Sequence, residues 1–129
     1  MRTLRVGIAS YEQMKARTIA IARGKYKPAA DEPKVWFTSA ESFARVLSDR
    51  NRALLGIIAE SRPESLARLA ELTGRKKSNL SRTLRTMERY GFVQLSHGAR
   101  GSVIPRVPYQ KISLTLPLSK LGRQGTEAA

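Results

Sequence analysis

The chain has 129 residues and is 41% hydrophobic, enough for one domain with an apolar core and too much for wholesale disorder. Its charge is lopsided: 24 Lys and Arg against 10 Asp and Glu give a formal +14, a surface that attracts polyanions, nucleic acid first and anionic membrane second. There is no cysteine, which excludes disulfides, thiolate catalysis and Cys-ligated zinc or iron-sulfur centres.

No apolar run approaches a membrane span and the N-terminus lacks a signal-peptide core, so a soluble cytoplasmic protein is expected. Residues 1–30 hold seven cations and one acid, residues 31–62 five of each, and residues 63–129 twelve cations and four acids. The positive charge therefore belongs to the two ends of the chain.

Leu4, Val6 and Ile8 alternate with Arg5 and Gly7, which predicts a short strand with one apolar face. Ser10 and Gln13 fit a capping box that opens a helix running to about Ala22 and ending at Gly24. Tyr11, Met14, Thr18 and Ile21 form its apolar stripe, with Lys15, Arg17 and Arg23 in water. The stripe packs on its own domain or serves as a subunit or partner contact, because a helix set apart by a flexible connection has little else to bury against.

Residues 24–33 read as a linker from their Gly, Pro and charge content. Val35 to Phe37 is a second strand, and Thr38-Ser39-Ala40-Glu41 suggests another capping box before a helix that buries Phe43, Val46 and Leu47. Ser48 or Asp49 restarts a helix with Leu54, Leu55, Ile57 and Ile58 on its apolar side, and Pro63 fixes the entry to the next.

Leu66, Leu69, Ala70 and Leu72 have helical spacing, and Gly74 suits the left-handed position just past a helix end. A second helix follows from about Lys76 to Tyr90, with Leu80, Leu84 and Met87 on its inner face. Two short helices joined by a glycine turn predict a helix-turn-helix. Ser78, Asn79, Ser81, Arg82, Arg85 and Arg89 fall off the apolar stripe and mix cations with short hydrogen-bonding side chains. Arg can pair with guanine edges, Asn with adenine, and Ser with bases or phosphates. Arg75, Lys76 and Lys77 stand at the end of the helix that already carries partial positive charge. An outside anion such as a DNA phosphate would make that arrangement favourable.

Phe92 to Leu95 alternates as a strand, residues 97–101 (HGARG) form a Gly-flanked turn, and Val103-Ile104 begins the return. This hairpin with a basic tip is a wing when it follows a recognition helix. Pro105 and Pro108 require the return strand to be an edge or to leave the sheet there. Ile112, Leu114 and Leu116 alternate with Ser113 and Thr115 in a further strand, for which residues 35–37 and residues 4–8 are both open as partners. Residues 119–129 read as a flexible tail.

Catalytic signatures are missing from the sequence. His97 is the only histidine, there is no G-x-G-x-x-G, P-loop or H-E-x-x-H, and the acids are scattered, Glu71 and Glu88 standing singly on helices. A non-enzyme without cofactor or metal is expected.

Through SLARLAELTGRKKSNLSRTL followed by ERYGFVQL, the chain resembles the MarR-like winged helix-turn-helix regulators. It resembles still more a smaller family of bacterial and archaeal DNA-binding proteins, in which segments like KARTIAIARGKYKP and KVWFTSAESFARVLS precede the winged helix. Many of that family carry a good capping residue where this chain has Lys76. The resemblance implies an autorepressing antitoxin of a type II toxin-antitoxin pair, with a TumE-like toxin as partner. The alternatives are a stand-alone MarR-like regulator without a toxin partner and an RNA-binding protein.

The expected architecture is α+β and mostly α. Residues 1–33 form a strand-helix arm and linker, residues 34–118 a winged helix-turn-helix domain, and residues 119–129 a tail. The expected activity is homodimeric, sequence-specific binding of double-stranded DNA. Lys76, Lys77, Ser78, Asn79, Ser81, Arg82 and Arg85 enter the major groove, Arg75 and Arg89 hold phosphates, and His97 with Arg100 reaches the minor groove or backbone.

Overall fold

The computed structural model describes residues 2–118, so the tail expected at residues 119–129 lies outside the described residues. The fold is α+β. In chain order it runs β1 (Thr3–Ile8), α1 (Tyr11–Ala22), β2 (Val35–Phe37), α2 (Ala40–Val46), α3 (Asp49–Ser61), α4 (Leu66–Thr73), α5 (Lys77–Arg89), β3 (Gln94–His97), β4 (Val103–Arg106) and β5 (Lys111–Thr115). Among the described residues no helix is long and apolar enough to cross a membrane.

Two compact units emerge. Among the described residues, one comprises Ala44–Gln110 with Arg2, and the other Thr3–Phe43 with residues 111–118. The division falls inside α2 and not at the expected boundary between residues 33 and 34. The reason is that β2 pairs with β1 and so belongs to the strand unit, which β5 also joins by hydrogen-bonding to β1 across more than 100 residues of sequence.

The strand unit is a three-stranded parallel sheet in the order β2-β1-β5. A parallel pair needs a crossover, and α1 with the segment after it supplies the one between β1 and β2. Register sets Val6 beside both Val35 and Leu114, and Gly7 beside Trp36 and Thr115. Glycine is required there, because a Cβ on Gly7 would run into the Trp36 ring. On the other face, Phe37 meets the edge of Phe43 from α2 at 5.4 Å between ring centroids.

The expected capping box at Ser10 forms, with Ser10 Oγ accepting from Gln13 N and Gln13 Oε1 accepting from Ser10 N. The stripe expected on α1 does not form as drawn. Ala20 is its buried residue, Met14 and Ile21 are half-buried, and Tyr11 and Thr18 are exposed. Arg17, expected in water, keeps only 18% of its side chain exposed. It donates to Glu32 at 2.8 Å and lies over the Tyr26 and Trp36 rings. The stretch expected to be a free linker is thus tied to α1 through an ion pair and an aromatic contact. At α2, Ser39 Oγ accepts from Ser42 N, one residue beyond the Glu41 expected to complete the box.

The helical unit has one core, built from Leu54, Leu55 and Ile58 of α3, Leu66 and Leu69 of α4, and Leu80, Leu84 and Met87 of α5. Phe92, Val93 and Pro105 complete it. Ser48 caps α3 through Asn51 N, and Ser65 caps α4 through Arg68 N. β3 and β4 form an antiparallel hairpin in which Leu95 pairs with Pro105, so the proline sits on a strand with one partner, as its missing N–H demands. Arg106 donates to Pro63 O at 2.7 Å and ties the base of the hairpin to the α3–α4 connection.

Candidate nucleic-acid interface

Gly74 ends α4 with φ 73, the left-handed conformation that its position demands, and donates its N–H to Ala70 O. Three residues later, at Lys77, α5 begins. Its inward side is set by Leu80, Leu84 and Met87, each with no exposed surface. With about 100° of rotation per residue, Ser78, Arg82, Arg85 and Arg89 then share an arc of about 60° on the opposite side. All four are exposed. Asn79 and Ser81, expected to face outward with them, stand at the flanks and are half-buried. Thr83 Oγ1 donates to Asn79 Oδ1 at 3.4 Å.

The start of α5 has an unusual electrostatic character. Lys76 occupies the N-cap without any side-chain cap bond, no acid stands in the first turn, and Lys76 and Lys77 are both exposed. The free N–H groups of the first turn and two ammonium groups therefore point the same sign outward.

Arg75, expected to hold a phosphate, is otherwise employed. Its guanidinium donates to Arg50 O at 3.0 Å and to Asn51 Oδ1 at 3.3 Å, both on the first turn of α3. Asn51 in turn donates to Val46 O. Burial, and secondarily the positive charge of Arg50, holds the Arg75 guanidinium below the ordinary arginine value. The side chain acts as a strut between the start of α3 and the start of α5. Sequence could not pair it with a residue 24 positions away.

The hairpin supplies a second basic element. His97 and Arg100 are exposed, and a single 3₁₀ turn over Ala99–Gly101 forms the tip between β3 and β4. Arg100 itself adopts φ 58, followed by Gly101 at φ 73. The turn is closed by Gly98 N donating to Ser102 O at 2.7 Å. The consequence is a cation held at the apex by a turn whose conformation costs a non-glycine residue about 1 to 2 kcal/mol.

Six exposed cations, Lys76, Lys77, Arg82, Arg85, Arg89 and Arg100, thus line α5 and the hairpin tip. None of them is in a salt bridge among the described residues, whereas Arg68 is paired with Glu71 and Arg52 with Asp49. Glu88 is the one acid on α5 and lies outside the arc of Ser78, Arg82, Arg85 and Arg89.

Residues 46–114, more than half of the chain, match the model of the HVO_A0114 family. The chain belongs to the HVO_A0114 family. The matched region takes in every residue of the candidate interface together with α3, α4, α5, β3 and β4, and it ends within β5. The HVO_A0114 match does not extend to β1, α1 or β2. No curated protein and no solved structure matches the chain.

Proposed function

We propose that this protein binds double-stranded DNA as a winged helix-turn-helix and regulates transcription as a homodimer. In this reading α4 and α5 are the helix-turn-helix, α5 is the recognition helix, and the β3–β4 hairpin is the wing. The observation that carries it is the exposure of Ser78, Arg82 and Arg85 on the side of α5 opposite a fully buried apolar stripe. A solvated face would not need unpaired cations of one sign at the N-terminal end of a helix, where they are electrostatically unfavourable. Duplex phosphates around a helix seated in the major groove remove that penalty.

Arg82 and Arg85 read base edges, Ser78 and Asn79 assist them, and Lys76, Lys77 and Arg89 take phosphates. His97 and Arg100 of the wing lie against the adjacent backbone or minor groove. Selection from a random duplex pool is expected to enrich a definite sequence. Arg82→Ala is expected to weaken binding to that sequence by about 1 to 3 kcal/mol and to weaken random duplex much less. Equal losses on both, or no enrichment, would remove Arg82 from the groove. Displacement of the duplex by structured RNA at equal concentration would replace DNA by RNA as the target.

The strut at Arg75 gives a separate expectation. Arg75→Ala should lower affinity for all duplexes severalfold while the slope of log affinity against log salt stays unchanged, because no phosphate contact is lost. A slope shallower by about 1 would return Arg75 to a phosphate.

A second reading, that the protein is the antitoxin of a toxin-antitoxin pair, draws on α1. Tyr11 is 69% exposed and Ile19 41%, apolar surface on a helix that lies outside the DNA-reading elements. Tyr11, with Thr18, Met14 and Ile21 within about 80° of it around the helix, presents the face available to a toxin partner. Loss of a co-purifying toxin on Tyr11→Lys with DNA binding intact would support it, and retention would oppose it.

A further inference from the structure

We propose that two copies of this chain associate through β5, strand against antiparallel strand, about a two-fold axis passing beside Ser113. β5 is the last strand of the sheet order β2-β1-β5, and among the described residues nothing pairs with its outer side. Open edges invite pairing unless they are short, charged or broken by proline. The other edge is protected in that way, because β2 is three residues long and follows Pro33 and Lys34. β5 is five residues long, contains no proline, and carries one charge, Lys111, at its start.

The surface around that edge is apolar. Residues 112–118 (ISLTLPL) contain no charge in a chain of net +14. Leu114 is 43% exposed, Leu116 54% and Leu118 97%, half of the large exposed hydrophobics among the described residues. Two copies this basic repel one another over most of their surface, and this uncharged run is where they can approach.

The occupant follows from the sequence of β5 read against itself. With Ser113 on the axis, Ile112 faces the partner's Leu114 and Lys111 faces the partner's Thr115. Apolar residues then meet apolar residues twice, and the lysine never meets its own copy. Ile112 and Leu114 also stand beside Leu4 and Val6, so pairing continues one apolar face into a six-stranded sheet. An acidic peptide partner would find only Lys111 along the strand. A two-fold arrangement also suits the proposed DNA binding, since helix-turn-helix dimers read half-sites related by the same symmetry. That benefit rests on the DNA reading, but the pairing itself is testable without DNA, so either can fail alone.

The chain's lack of cysteine makes the test direct. Ser113→Cys in the full-length protein, oxidised mildly without DNA, is expected to give a covalent dimer on non-reducing gels. Opposed Cα atoms about 4.5 to 5.5 Å apart lie within disulfide reach. Lys111→Cys is the control, because the two copies of position 111 would stand about 13 Å apart along the strands and should not cross-link. In sedimentation equilibrium Leu114→Lys is expected to raise the dimer dissociation constant about tenfold or more, with the far-ultraviolet circular dichroism unchanged. A wild-type chain that stays monomeric up to about 100 µM would overturn the proposal. So would equal cross-linking of the two cysteine variants, or a dimer indifferent to Leu114→Lys. If Leu114→Lys does not fold, the cysteine pair still decides.

Discussion

Affinity for duplex DNA is expected to fall about a hundredfold for each copy bound between 50 and 200 mM monovalent salt. Each phosphate neutralised releases condensed counterions, so log affinity declines against log salt with a slope of about −0.9 per contact. Lys76, Lys77, Arg89 and Arg100 are exposed and in no salt bridge among the described residues, which allows four phosphate contacts per copy. Four contacts over a fourfold change in salt give a loss of about 10² per copy. Fluorescence anisotropy with a labelled duplex at four or five salt concentrations measures the slope. A loss of less than about tenfold would leave at most two of these cations on phosphates. The basic face would then be a solvated surface with no DNA-binding role.

Leu84→Ala is expected to destabilise the helical unit by about 2 to 5 kcal/mol. Leu84 has no exposed surface and lies between Leu80 and Met87 on the stripe that fixes the rotation of α5. Truncation removes apolar burial and leaves a cavity that neighbours on α3 and α4 can only partly fill. Urea unfolding followed by circular dichroism should show a lower midpoint with little change in slope. A cost below about 1 kcal/mol would mean that the inner face of α5 is not packed as described. The outward direction of Ser78, Arg82 and Arg85 would fall with it, since one rotation sets both faces.

Arg82 and Leu84 show how much of the interface could be read before any coordinates. They are two residues apart on one helix, and the period of 3.6 alone sends one inward and the other out. Gly74 and the caps at Ser10 and Ser48 were legible for a similar reason, because each bonds within a few residues of itself. Asn79 and Ser81 were harder. They sit at the boundary of the stripe, where a small rotation decides exposure.

The sequence by itself determined what depends on neighbours in the chain: the helix and strand positions, the apolar side of α5, its basic outer arc and the hairpin with its edge prolines. Tertiary structure decided what depends on residues far apart. It joined β5 to β1 instead of leaving both candidates open, drew Arg17 onto Glu32 and two aromatic rings, and turned Arg75 from the expected phosphate toward Arg50 and Asn51. Alternation says that a strand has an apolar face but not which strand lies beside it, and a charge count does not say which cation is already bonded within the fold.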